Sequence, residues 1–168
     1  MKKLLLSLSV SFLFWSCSES SEKTYSGKKL DVALFQSSTY DYKGNLEIRE
    51  LVDGSLEWNL RLDGAKSYTA VSFPAHLHFG SYDQADAPIA QVLTPVSSRD
   101  LQSVTLLGPL SNGATLRFDD LRLFDGHVKV HLAGEGPDYG VILVAGNIGP
   151  KSKANFDPNQ VAVCGKSF

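Results

Sequence analysis

The sequence predicts an all-β domain, an antiparallel Greek-key-like sandwich or barrel of about eight or nine short strands. Polar and apolar side chains alternate along many short runs, which is the period of a strand with one face in a core and one in water. Turn residues separate these runs, and no segment carries an apolar stripe over three helical turns. Together these features favour two packed antiparallel sheets or a closed barrel.

The clearest strands form a predicted hairpin. Residues 56–62 (LEWNLRL) alternate strictly, and the preceding run, residues 45–51, reaches them through Asp53-Gly54, a dipeptide typical of tight hairpins. Extended backbone is also predicted around two histidine-containing segments, residues 74–80 and 127–132. The other predicted strands, in chain order, are residues 31–35, 68–73, 89–93, 103–107, 114–118 and 141–145.

The first sixteen residues are typical of a secretory signal peptide. Two lysines precede the apolar run Leu4–Trp15, which is shorter than the roughly 20 residues that a membrane-spanning helix needs. Residues 14–17 (FWSC) resemble the lipobox of bacterial lipoproteins, and this resemblance implies a lipid on Cys17. The alternative is an ordinary signal peptide that leaves Cys17 as a free thiol.

These features predict the organisation of the chain and its location. A signal peptide (1–16) is followed by the lipidated cysteine and a polar tether (17–29), the β-domain (30–149) and a tail (150–168) in which Gln160–Cys164 could add an edge strand. The expected location is the bacterial cell envelope, on its periplasmic or surface side. The expected partner is a membrane surface, held through the lipid.

Charge and cysteine content exclude several classes of protein. The net charge of −2 offers no basic excess for nucleic acid. Two cysteines cannot build a disulfide framework or a cysteine-rich zinc site. Cys164 is expected to be a small buried apolar residue, with a metal-binding or redox role as the alternative.

The chain has four histidines, and they occur in two pairs. In an extended chain His76 and His78 share one face and Leu77 the other; His127 and His131 likewise lie opposite Val130. Because apolar burial yields about 1.5–3 kcal/mol per large side chain, the apolar face is expected to enter the core. The imidazoles are then predicted to lie on the outer face, or in a cleft roofed by a loop, rather than buried as structural histidines.

Such a face could bind a metal ion. Imidazoles two residues apart on a strand lie about 6–7 Å apart, so their nitrogens can converge on copper or zinc. If the two strands are neighbours, three or four nitrogens could meet. Lys129 lies on the same face, and its charge opposes a metal ion unless its stem turns aside. Hydrogen-bonding histidines with a structural or recognition role are the alternative.

Residues 75–80 (AHLHFG) and 87–90 (APIA) resemble the CHRD (chordin-type) domain, and so do residues 128–131 (VKVH) followed by 136–140 (GPDYG). The resemblance spans roughly residues 44–149, although the acidic-basic pair usual in the last strand is replaced by residues 141–144 (VILV). CHRD domains resemble the Cu,Zn superoxide dismutase sandwich. This likeness implies copper-facing roles for His76, His78 and His131, with His127 as a candidate fourth ligand.

Three functions are compatible with this sequence. The first is a lipid-anchored CHRD-like module without catalysis, serving binding or structure. The second is a copper- or zinc-binding protein that uses the four histidines, and the third is a dismutase-type redox enzyme at the same site. Nucleophile-elbow, P-loop and dinucleotide motifs do not occur, so no other catalytic residues are predicted.

Overall fold

The structure is a computed structural model that describes residues 23–163. The predicted signal peptide, Cys17 with the first part of the tether, and Cys164 lie outside the described residues.

Eight β-strands dominate the described part of the chain. They are β1 (Tyr25–Gln36), β2 (Lys43–Leu51), β3 (Leu56–Asp63), β4 (Ser72–Phe79), β5 (Ile89–Ser97), β6 (Gln102–Leu106), β7 (Gly126–His131) and β8 (Ile142–Ile148). The helices here are single 3₁₀ turns at Phe118–Arg122, Pro137–Gly140, Gly149–Lys151 and Pro158–Gln160. Within residues 23–163, none of the helices is long and apolar enough to cross a bilayer.

All strand pairs are antiparallel, and the strands form one nearly closed, barrel-like sheet in the order β5-β4-β7-β8-β1-β2-β3-β6. This confirms the predicted fold class. The predicted hairpin joins β2 to β3, and Gly54 supplies the positive φ of +80° that its tight turn requires. Crossovers place β7 beside β4 and β6 beside β3, so strands distant in sequence become neighbours.

The main apolar core lies on one face of this sheet. The alternating apolar residues of β3 enter it, as predicted, and Trp58 is 1% exposed. Leu77 of β4 and Val128 and Val130 of β7 lie in the same core and are fully buried. The alternation of side chains therefore directs the histidines of β4 and β7 to the opposite face, outside the barrel.

A second, smaller layer covers that outer face. Tyr82, Ile142 and Ala145 form a separate buried cluster against which Phe156 and Val161 pack. Residues 150–163, here named the C-terminal segment, thus cross the outside of the barrel. Ala162 N donates to Tyr82 O at 3.0 Å.

The structure corrects three predicted boundaries. Strand β1 begins at Tyr25, inside the segment 17–29 expected to be a tether, because Tyr25 and Lys29 pair with β2 and two lysines of this part form ion pairs with β2. Residues 114–118 lead into a 3₁₀ turn instead of forming a strand. The described residues of 160–164 form no edge strand, because they pack across the sheet face instead of pairing along its edge.

Candidate metal site

The four histidines come together on the outer face of β4 and β7. The two strands are direct neighbours, and His78 lies opposite His127 in the antiparallel register. His76 lies opposite Lys129. The adjacency that a shared site requires is therefore present.

The imidazoles are not exposed, which corrects the expectation against buried histidines. His76 is 4% exposed, and His78, His127 and His131 are fully buried. The predicted side of the sheet is right, but the loops that follow β4 and β7 and the C-terminal segment form a second layer over it. A pattern of alternating residues assigns side chains to a face and carries no information about what covers that face.

Three of the histidines bring ring nitrogens close together. His76, His78 and His131 each offer one nitrogen, and these three atoms lie within 4.8 Å of one another. Nitrogens bound at about 2.0–2.1 Å to one ion stand roughly 3–4 Å apart, so ring movements of about an ångström or less would bring them onto a single metal ion. His127 lies outside this group of three.

Backbone carbonyls fix the tautomers of two of these rings. His78 Nδ1 donates to Ala87 O at 2.9 Å, and His131 Nδ1 donates to Tyr139 O at 3.0 Å. Since a carbonyl oxygen only accepts, each Nδ1 carries the proton and each Nε2 carries the lone pair that a metal ion needs. A second hydrogen bond of this kind orients histidine ligands in metal sites.

His76 differs from the other two rings. Its Nδ1 is buried and has no hydrogen-bond partner among the described residues. Leaving a buried polar atom unpaired costs about 1–3 kcal/mol. A metal ion bound by this nitrogen would satisfy it, and a donor set of three imidazoles suits such an ion.

The strand pairing is irregular beside each of the two anchored rings. The register between β4 and β5 shifts between Leu77 and His78, and the register between β7 and β8 shifts between Val130 and His131. In each case the extra residue lies on the partner strand, β5 or β8, and not on the strand that carries the histidine. Both anchored histidines therefore follow directly after a local break in the ladder.

Burial is the main reason why the pKa of each histidine is lowered. It brings the pKa of His76 to about 4, helped by repulsion from charge on His131 and His78. The pKa of His78 is also about 4, that of His127 is about 3, and that of His131 is lowered as well. All four rings are therefore neutral at pH 7, which is the metal-binding form.

Lys129 is buried on the same face as the ring cluster. Its Nζ donates to Ala162 O of the C-terminal segment at 2.6 Å. Its charge still contributes to the lowered pKa of His78, His127 and His131. The cation thus ties the outer layer to β7 and disfavours additional positive charge near the rings.

Several components of the site carry no signal in the sequence. The carbonyls of Ala87 and Tyr139 are backbone atoms, and the ring of Tyr139 stacks on His131 with centroids 5.0 Å apart. A tyrosine within a glycine-rich turn close to a histidine strand is the only hint of this contact. The loop carboxylates Asp83 and Asp86 are exposed and are not among the grouped ligands.

Comparison of the chain with models of protein families, with curated proteins and with solved structures found no match. The resemblance to CHRD domains therefore stays a prediction, and the geometry of the site is the basis for its function.

Proposed function

We propose that this chain is a metal-binding module of the bacterial cell envelope, with His76, His78 and His131 as ligands and copper as the preferred metal. This proposal favours the second of the three functions predicted from the sequence. The module could bind the metal without catalysing a reaction, and this role requires no residues other than the ligands.

One observation carries the proposal. Three neutral imidazoles from two neighbouring strands place ring nitrogens within 4.8 Å of one another, and the buried Nδ1 of His76 has no other partner in the described chain. Structural histidines would be expected to satisfy that atom with a protein donor or acceptor. The arrangement supports metal binding more than a purely structural role.

The ligand chemistry favours copper over the other divalent metals. A site made of imidazole nitrogen suits copper, zinc and nickel, and affinity in such a site rises to a maximum at copper. Neither a carboxylate nor a thiolate of the described residues belongs to the group, so nothing there selects for calcium, magnesium or iron–sulfur chemistry.

The chain itself supplies orientation and exclusion of water. The carbonyls of Ala87 and Tyr139 hold two rings in the tautomer that presents Nε2, and the outer layer keeps the cluster dry. A copper ion bound there could add one-electron redox chemistry. Its use for catalysis would be a further property of the loaded protein.

Calorimetric titration of the purified chain with copper(II) and zinc(II) tests the proposal. We expect one saturable copper site with a dissociation constant below about 10 μM and weaker binding of zinc. The double variant His76→Asn/His78→Asn should lose at least about 100-fold in copper affinity, because two of three ligands are gone.

A matched control replaces exposed carboxylates outside the cluster. The variant Asp41→Asn/Asp63→Asn should bind copper as the unaltered chain does. Absence of saturable binding, or equal affinity in the histidine double variant, would reject the metal site. Superoxide consumption by the copper-loaded chain would favour the redox enzyme, and copper binding without it would favour a non-catalytic module.

We also infer that Cys17 carries a lipid and tethers the barrel to a membrane surface. The charged start, the apolar run of residues 4–15 and the small residue before Cys17 support this part of the proposal. β1 begins at Tyr25, so only residues 18–24 would separate the lipid from the barrel.

A further inference from the structure

Five aromatic rings form a continuous row along the outer face of β4 and β7. Their order is His127, His78, His76, His131 and Tyr139. The successive centroid distances are 4.9, 5.9, 5.1 and 5.0 Å. The three proposed ligands occupy the middle of the row, and one further ring lies at each end.

The two end rings stack on the anchored ligands. His127 lies nearly parallel to His78, at an interplanar angle of 8°, and Tyr139 lies nearly parallel to His131, at 16°. The contacts of His76 with its neighbours are edge-on or tilted, at 78° and 57°. Each carbonyl-anchored ligand therefore has a flat support on its outer side.

His127 is itself held rigidly. Its Nδ1 donates to Gly80 O at 2.8 Å, and its backbone pairs with that of His78 across the β4–β7 ladder. Its Nε2 is buried without a hydrogen-bond partner in residues 23–163, and it lies outside the group of three converging nitrogens. The His127 ring therefore offers a rigid surface on which His78 stacks, whereas its Nε2 takes part in no described interaction.

We propose that His127 is a positioning residue, which fixes the ring plane of His78 at the proposed metal site. This inference rests on the proposed metal-binding function and reassigns His127 from a candidate fourth ligand to a supporting role. The hydrogen bond from Nδ1 restrains one atom of the His78 ring, and the stacked His127 ring restrains its whole plane. Two ligands are then held in advance, and His76 adjusts to the ion.

Variants of His127 separate a positioning role from ligation. His127→Phe keeps a flat aromatic ring and removes both nitrogens. His127→Leu fills a similar volume with a side chain that is not flat, and His127→Ala leaves a cavity. We expect the Phe variant to bind copper(II) within about threefold of the unaltered chain. The Ala and Leu variants should lose about 10- to 100-fold, which is typical when a residue that orients a ligand is removed.

The measurements are competition with a chelator of known affinity and the electron paramagnetic resonance spectrum of the bound copper. The Phe variant should keep the nitrogen hyperfine pattern, and the Leu variant should give a broadened or mixed spectrum. Circular dichroism of the metal-free variants checks folding. If the Ala variant does not fold, comparison of the Leu and Phe variants still distinguishes positioning from ligation.

Two outcomes would overturn the inference. Loss of a nitrogen coupling in the Phe variant, with affinity as low as in the Leu variant, would make His127 a ligand. Unchanged affinity and spectrum in the Leu variant would show that the stacked ring does not matter. Both leave the proposed function intact, whereas failure of the unaltered chain to take up copper would reject the function itself.

Discussion

A buried neutral histidine stabilises the native state only while it stays neutral. Burial lowers the pKa of His76 and His78 to about 4 and that of His127 to about 3, compared with 6.5 for an exposed ring. Between pH 6.5 and about pH 4, these histidines therefore bind protons in the unfolded chain but stay neutral in the native chain. By linkage, stability is full above pH 6.5 and falls as the pH approaches about 4.

We predict that the metal-free chain loses stability steeply between pH 6.5 and pH 4. Each buried histidine contributes a slope of about 1.4 kcal/mol per pH unit in this window. The measurement is the free energy of unfolding in urea at half-unit steps of pH. The variant His127→Phe removes one of the titrating rings. It should therefore lower the slope by about 1.4 kcal/mol per pH unit, the contribution of one bound proton.

A carboxylate affects stability mainly below that window. Burial alone would raise the pKa of Glu57, but hydrogen bonds from Lys23, Asn59 and Tyr25 outweigh it and hold the pKa at about 2. Its stabilising contribution is therefore present above pH 4.5 and disappears only as the pH falls towards 2. A stability profile that is flat down to pH 4.5 would contradict the assignment of neutral, buried histidines.

The C-terminal segment forms part of the layer that covers the outer face of the barrel. Phe156 packs between Phe35 and Tyr82, with ring centroids 4.9 and 4.7 Å away. The hydroxyl of Tyr82 accepts from Asp157 N at 3.0 Å, and Lys129 reaches Ala162 O. Aromatic packing at one end and polar contacts at the other thus fasten the segment to the barrel.

We predict that Phe156→Ala loosens this segment without unfolding the barrel. Loss of the partly buried ring should cost about 1–2 kcal/mol, because two aromatic contacts disappear while the main core stays intact. The amide of Ala162, which donates to Tyr82 O, should exchange its hydrogen at least about tenfold faster.

The control for this variant is Leu123→Ala, since Leu123 is 81% exposed. It should change stability by less than about 0.5 kcal/mol and leave the exchange of the Ala162 amide unaltered. Equal exchange rates in the Phe156 variant and the unaltered chain would show that the aromatic contacts do not hold the segment in place.

The whole molecule assembles the site from strands that are separated in the sequence. β4 and β7 become neighbours through a crossover, so neither half of the chain contains the three ligands by itself. The core on the inner face fixes both strands through Leu77, Val128 and Val130. Folding of the barrel is therefore a condition for the proposed metal site.

The location of the whole molecule should depend on one cysteine. We predict that Cys17→Ser releases the protein from the membrane fraction, because a lipid contributes about 0.8 kcal/mol per buried methylene and serine cannot carry it. Cell fractionation and the mass of the N-terminal peptide are the measurements. The other cysteine supplies the control, since Cys164→Ser should remain membrane-bound.

Retention of the Cys17 variant at the membrane, or an N-terminal peptide without a lipid, would reject the anchor. The chain would then be an ordinary secreted protein with a free thiol at Cys17, and the metal site would be unaffected by this result.

The amount that could be predicted differs between the fold and the site. Alternation and turn residues predicted the strand class, the Asp53-Gly54 hairpin and the side of the sheet on which the histidines lie. The same rules placed a strand at residues 114–118 and a tether at residues 25–29. Local patterns failed there because pairing with β2 and packing of loops are decided by distant parts of the chain.

By itself the sequence determined the period of two, and with it which side chains enter the core and which imidazoles share a face, because this information resides in neighbouring residues. Only the tertiary structure decided that β4 and β7 lie side by side, that the register breaks before His78 and His131, and that a second layer buries the rings. The physical reason is that convergence of ring nitrogens depends on strand order, backbone carbonyls and covering loops. These are properties of the folded backbone, and the presence of a histidine at a given position does not indicate them.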